Sequence, residues 1–138
     1  MNLDSLNLAK ELINHCIENA VKIKDASLLG KANIQQGKIQ IKQFEFANSI
    51  VSFQNALQIS RTLNDTNIML EALSEIEDYY FQIEKIDSAI LYCTKTISIC
   101  KSQKNYTKLS DKYGSLRSYQ ISLTNNYNTN SFLFDGLI

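Results

Sequence analysis

The chain has no proline and no tryptophan, four glycines in 138 residues, one histidine and three cysteines. Without proline no position is forced to break a helix, and so few glycines favour long uninterrupted helices. Charge of either sign is also not in excess: Lys plus Arg and Asp plus Glu stand at 14 each. The basic surplus of nucleic-acid binders and the basic amphipathic face of membrane-surface binders are both missing. No apolar run approaches the ~20 residues needed to cross a bilayer. The opening MNLDSLNLAKELINHC lacks the basic start and apolar run of a signal peptide. An odd number of cysteines, at spacings that fit no disulfide framework, points to a reducing compartment, the cytoplasm.

Catalytic signatures are missing too. There is no Gly-rich phosphate loop, no HExxH and no CxxC. His15 is adjacent to Cys16, but neighbouring helical side chains diverge by ~100° and cannot act as a nucleophile–base pair. Glu75, Glu77 and Asp78 sit in an acidic segment and read as a solvated face. The expectation is a chain that is not an enzyme and holds no metal and no cofactor.

What is present is a period. AKELINHCIENAVKIKDASLL from Ala9, SIVSFQNALQISRTLNDTNIM from Ser49 and AILYCTKTISICKSQKNYTKL from Ala89 align without a gap at an offset of 40. Ala9, Ser49 and Ala89 are small, while Ile13, Phe53 and Cys93 are apolar. Ile17, Leu57 and Ile97 are apolar in turn, and Ala20, Ser60 and Cys100 are compact. Their spacing keeps them on one helical stripe. Cys93 and Cys100 lie two turns apart with a drift of only ~20°, so they share a face. Ile13 and Phe53 stand in the place of Cys93 in the other copies, and Ala20 and Ser60 in that of Cys100, which identifies a core seam, where free cysteine behaves as a small hydrophobe.

Two helices fit each period, giving about six helices near 4–23, 27–43, 47–62, 66–83, 87–102 and 106–120. Asp65 or Thr66 is the expected N-cap of the fourth helix, and Asp87 that of the fifth. Leu70, Leu73, Ile76, Glu77 and Tyr80 should lie near one face of the fourth helix. Tyr92, Tyr106, Tyr113 and Tyr119 are expected to fill space between helices. Gly30 and Gly37 fall inside a helix, which implies close packing there. Residues 121–138, ISLTNNYNTNSFLFDGLI, read as an Asn-rich link and an apolar tail, with Leu133 and Leu137 in register with the repeat stripe as a short closing helix.

Ser49, Phe53 and Ala56, and more loosely Ala89, Cys93 and Thr96, resemble the small–apolar–small signature of tetratricopeptide repeats, with Gly37 and Tyr80 at matching places in the other helix. The resemblance covers 9–120 and departs from the family in its longer period and in Asn33 and Gln36, polar where large apolar residues are usual. It implies an all-α fold over residues 1–120, antiparallel helix pairs stacked as a short right-handed superhelix. It further implies a concave wall that binds a peptide or protein segment, as the sensor or scaffold part of a regulatory, signalling system. Carried over by position, that wall comprises Lys31, Ile34, Lys38, Ile41 and Lys42; then Glu71, Ser74, Asp78 and Phe81; then Asp111, Gly114 and Ser118. Lys31 aligns with Glu71 and Lys38 with Asp78, so ion pairing between helices is the competing reading. The alternative function is self-association, a homodimer through exposed terminal half-repeats, with the tail as its glue.

Overall fold

The computed structural model describes residues 2–135, with side chains from 2 to 128. Among them the fold is all-α: α1 (Leu3–Lys22), α2 (Ala26–Lys42), α3 (Phe46–Leu63), α4 (Thr66–Gln82), α5 (Ile86–Ser102) and α6 (Tyr106–Asp135). No helix among the described residues is long and apolar enough to cross a membrane.

The 40-residue period is written into the backbone. Asp25, Asp65 and Asn105 each accept, through a side-chain oxygen, the amide three residues on, at 2.9, 3.1 and 3.2 Å, opening α2, α4 and α6. Each replaces a bond that the first turn of a helix otherwise lacks. The same three residues donate their own amides to Ala20, Ser60 and Cys100, closing the preceding turn. The intervening turns at Glu45 and Lys85 donate equivalently to Gln40 and Tyr80. Asp87 is not the cap of α5; it lies in the first turn, where its charge complements the helix dipole, and the preceding turn residue Lys85 makes no side-chain cap bond.

Each turn passes through one left-handed residue: Lys24, Phe44, Asn64, Glu84 and Lys104, with φ between 53° and 62°. None is glycine. A non-glycine residue there costs roughly 1–2 kcal/mol. Phe44→Gly and Glu84→Gly are therefore each expected to raise stability by up to about 1 kcal/mol, the relief being partly offset by the looser unfolded chain. Both side chains are exposed, so little burial is lost. Urea titration of the two variants checks this; a lowered midpoint in both would mean that the turns carry no strain.

The chain divides into two compact units, Met1–Tyr79 and Tyr80–Ile138. In the first, α1 packs on α2 and α2 on α3. Ile34, Phe53, Ala56, Ile68, Ala72, Leu73 and Ile76 form its buried interior. Gly37 explains its own presence: an added Cβ would lie 2.7 Å from Cδ1 and Cζ of Phe53 and closer still to Cε1. In the second, α5 packs on α6, and Ile86, Ala89, Cys93, Ile97 and Tyr119 form the core, flanked by Tyr80, Leu109, Leu116 and Leu123. Cys93 and Cys100 are both fully buried, as the seam requires, and the Cys93 thiol donates to the Lys112 carbonyl at 3.3 Å.

Three further expectations need correction. The Asn-rich 121–135 stretch is not a link, because α6 runs without interruption from Tyr106 to Asp135. Glu77 is fully buried rather than solvated. Tyr106 and Tyr113 are exposed, whereas Tyr119 is buried and Tyr92 stacks on Tyr80 at 5.4 Å. Leu137, and the side chain of Leu133, lie outside the described residues.

Candidate functional site

The residues expected on a binding wall divide between the two units. In the first, Lys31 and Lys42 are exposed and Ile41 is half-buried on α2. Ile34 must be removed from the set: it is 0% exposed and belongs to the core. Its place on the helix sweeps toward the interior once α2 is enclosed by its neighbours. On α4, Asp78 is exposed and Ser74 half-buried, with its hydroxyl oxygen shielded from water.

Lys38 is engaged. Its Nζ lies 3.0 Å from Glu71 Oε1 and 3.2 Å from Glu75 Oε1, bridging α2 to α4. Partial burial opposes the Lys38 charge, but hydrogen bonds and attraction from the two carboxylates outweigh it and hold the ammonium above 10.5. Burial pushes the Glu75 carboxyl above 4.5; Lys38 pulls it back, while Asp78 and Glu71 push it further up. For both groups the folded state holds its proton more tightly than the unfolded chain. Their contributions are therefore fully present below the unfolded values and are lost as pH rises through the folded ones. For Glu75 that loss begins near 4.5. Glu75→Gln should thus flatten the fall in stability between acid and neutral pH and raise neutral stability by less than about 1 kcal/mol. Urea midpoints at acid and neutral pH decide it; a large neutral loss would show that attraction to Lys38 outweighs desolvation.

In the second unit, Asp111, Gly114 and Ser118 are exposed on α6, and the Ser118 hydroxyl donates to the Gly114 carbonyl at 3.1 Å. Phe81 is 45% exposed, and its ring rests 5.2 Å from that of Tyr119.

A different feature of the first unit has the shape of a site. A cleft of about 640 Å³ opens between α1, α2 and α3. Its volume falls in the range of ligand pockets. Five side-chain amides line it: Asn14 from α1, Asn33 and Gln36 from α2, Asn55 and Gln58 from α3. Ile17, Leu29 and Ile59 supply apolar surface, and Glu18 is the one charged group. Three of the amides are held by hydrogen bonds. Gln36 donates to Asn14 at 3.2 Å and accepts from the Ser52 hydroxyl at 3.3 Å, while Asn33 donates to the Leu29 carbonyl at 2.8 Å.

Each amide offers one acceptor and two donors without net charge, the complement of an extended peptide backbone. None of these five residues was singled out as a binding residue from the sequence. The signal was present, however, in Asn33 and Gln36, the two polar departures from the repeat pattern, which face this cleft. The chain matches no protein-family model and no curated protein sequence.

Proposed function

We propose that this chain is a protein-interaction module of the tetratricopeptide type, working in the cytoplasm, that captures an extended peptide segment. The amide-lined cleft of the first unit carries this reading. The neutral amides recognise backbone, the apolar residues take one or two aliphatic side chains, and Glu18 favours a ligand with a lysine or arginine at that end. Charged groups of this kind add orientation and encounter rate more than affinity. The α2–α4 wall is the weaker docking surface, because Lys38 is already bonded to Glu71 and Glu75 and Ile34 is buried.

Selection of linear peptides from a displayed random library against the full chain tests the reading. Enriched peptides should share a basic residue next to a short aliphatic run, and Glu18→Lys should select against that residue. A correctly helical chain that enriches no peptide would sink it.

A further inference from the structure

The two seams that flank α2 are built differently. Toward α3 the centre is apolar: Phe53 and Ala56 are fully buried, and Gly37 admits the Phe53 ring. Toward α1 the contacts are polar. Asn7, Lys10 and Asn14 follow one another at helical spacing, a single stripe of α1 that continues into Ile17 and Glu18 of the cleft. The Gln43 amide donates to Asn7 at 3.3 Å, the Lys10 ammonium to Glu45 at 2.9 Å and the Gln36 amide to Asn14 at 3.2 Å. The buried side chains of α1, Leu6 and Ala20, stand near its opposite ends.

This polar seam belongs to the first copy of the period. At the 40-residue offset the places of Lys10, Gln36 and Gln43 are taken by Ile50, Ile76 and Ile83, then by Ile90, Leu116 and Leu123. Aliphatic residues stand at all three positions in both other copies, and polar ones only where the cleft lies.

The seam is also closed incompletely. Gln43 Oε1 is shielded from water and has no hydrogen-bond partner. A shielded, unpaired acceptor favours any movement that returns it to water. Opposing that movement is the Lys10–Glu45 pair, whose side chains are only 39% and 32% exposed. Asn48 donates to the other carboxylate oxygen at 3.3 Å. The Lys10 bond, and after it that of Asn48, hold the Glu45 carboxyl below 4.5, so the pair stands at neutral pH.

We propose, taking the cleft as the peptide site, that α1 is its movable wall, latched by Lys10 and Glu45, and that α1 must swing away from α2 before a bound peptide leaves. Lys10 and Glu45 do not line the cleft; they are positioning residues that act through Asn14, Ile17 and Glu18. When the latch opens, Gln43 regains water, Asn14 parts from Gln36 and the cleft widens on its α1 side.

Lys10→Met removes the charge and keeps the aliphatic stem. It also leaves the Glu45 charge in place at the N-terminus of α3, where it complements the helix dipole. Amide hydrogen exchange on the full chain reads the opening of α1 with no ligand present. Amides of residues 9–18 should exchange about two- to fivefold faster in Lys10→Met, with those of α3 at the wild-type rate. Sodium chloride at ~1 M should accelerate the wild type to the same level and leave the variant unchanged, because it screens the pair. Lys10→Arg, which keeps the pair, should restore the slow rate. The displayed peptide most enriched on the wild-type chain should dissociate from Lys10→Met faster by the same factor as the exchange.

Equal exchange in wild type and Lys10→Met overturns the latch, and so does an acceleration shared by α3. Faster exchange with an unchanged dissociation rate overturns the gating of release. A wild type that enriches no peptide while Lys10→Met still accelerates exchange overturns the peptide site and leaves the latch standing.

Discussion

Truncating Phe53 to alanine should lower stability by about 3–5 kcal/mol and Tm by roughly 10–20 °C. The ring is fully buried and fills the space above Gly37, so its removal leaves a cavity in the middle of the α2–α3 contact. The reciprocal change, Gly37→Ala, gains about 1 kcal/mol of helix propensity but forces its methyl group into the ring, an overpacking cost of about 1–3 kcal/mol. The ring is enclosed and has little room to give, so the net effect is a loss. Combining Gly37→Ala with Phe53→Leu should recover part of it, since the methyl enters space the ring has left. A double-mutant cycle by urea denaturation measures the coupling, and strict additivity would mean the two residues do not share that space. Gly114→Ala is the control: nothing lies within 4 Å of its added Cβ, so only the propensity gain of about 1 kcal/mol remains.

Filling the cleft should separate binding from stability. With Asn33 and Gln36 both changed to leucine, peptide capture is expected to fall at least ~10-fold, since two backbone-reading amides are lost, each worth about 1 kcal/mol, and the cleft is narrowed. The same double change is expected to raise Tm by a few degrees, because Asn33 is only 7% exposed and is held by a single-turn bond to the Leu29 carbonyl. Ser52 keeps its shorter bond, to Gln40, when Gln36 is gone. A gain in stability with a loss of capture is the pattern of a site maintained at the expense of packing. A fall in Tm would instead make the amides structural, and persistent capture would place the ligand elsewhere.

Much of the architecture was legible because its signals are local. Five of the six expected helices match the observed ones to within a residue or so at each end, among them 66–83 against Thr66–Gln82 and 87–102 against Ile86–Ser102. Asp65 needs only its own next three residues to cap α4, and the Cys93–Cys100 stripe needs only helical spacing. The sixth helix overran its expected end. Asparagine disfavours helix interiors by offering competing local bonds, but a turn at this period also folds the chain back onto a partner stripe. Residues 124–128 are exposed, so no such burial ends α6 there.

The candidate site was less legible for the same physical reason. The resemblance to tetratricopeptide repeats put Lys38 and Ile34 together on an expected wall, yet what each touches depends on other helices. Glu71 and Glu75 of α4 claim Lys38, and the packed interior takes Ile34. The cleft exists only because α1, α2 and α3 come together around residues that are unremarked polar positions on each helix alone. The sequence by itself determined the first five helices, the Asp65 cap and the 40-residue period, since hydrogen bonds three or four residues apart and a 3.6-residue stripe are properties of one segment. Only the tertiary structure decided which polar side chains are neutralised, which are buried and which line a cleft, because those outcomes are set by atoms supplied from other helices.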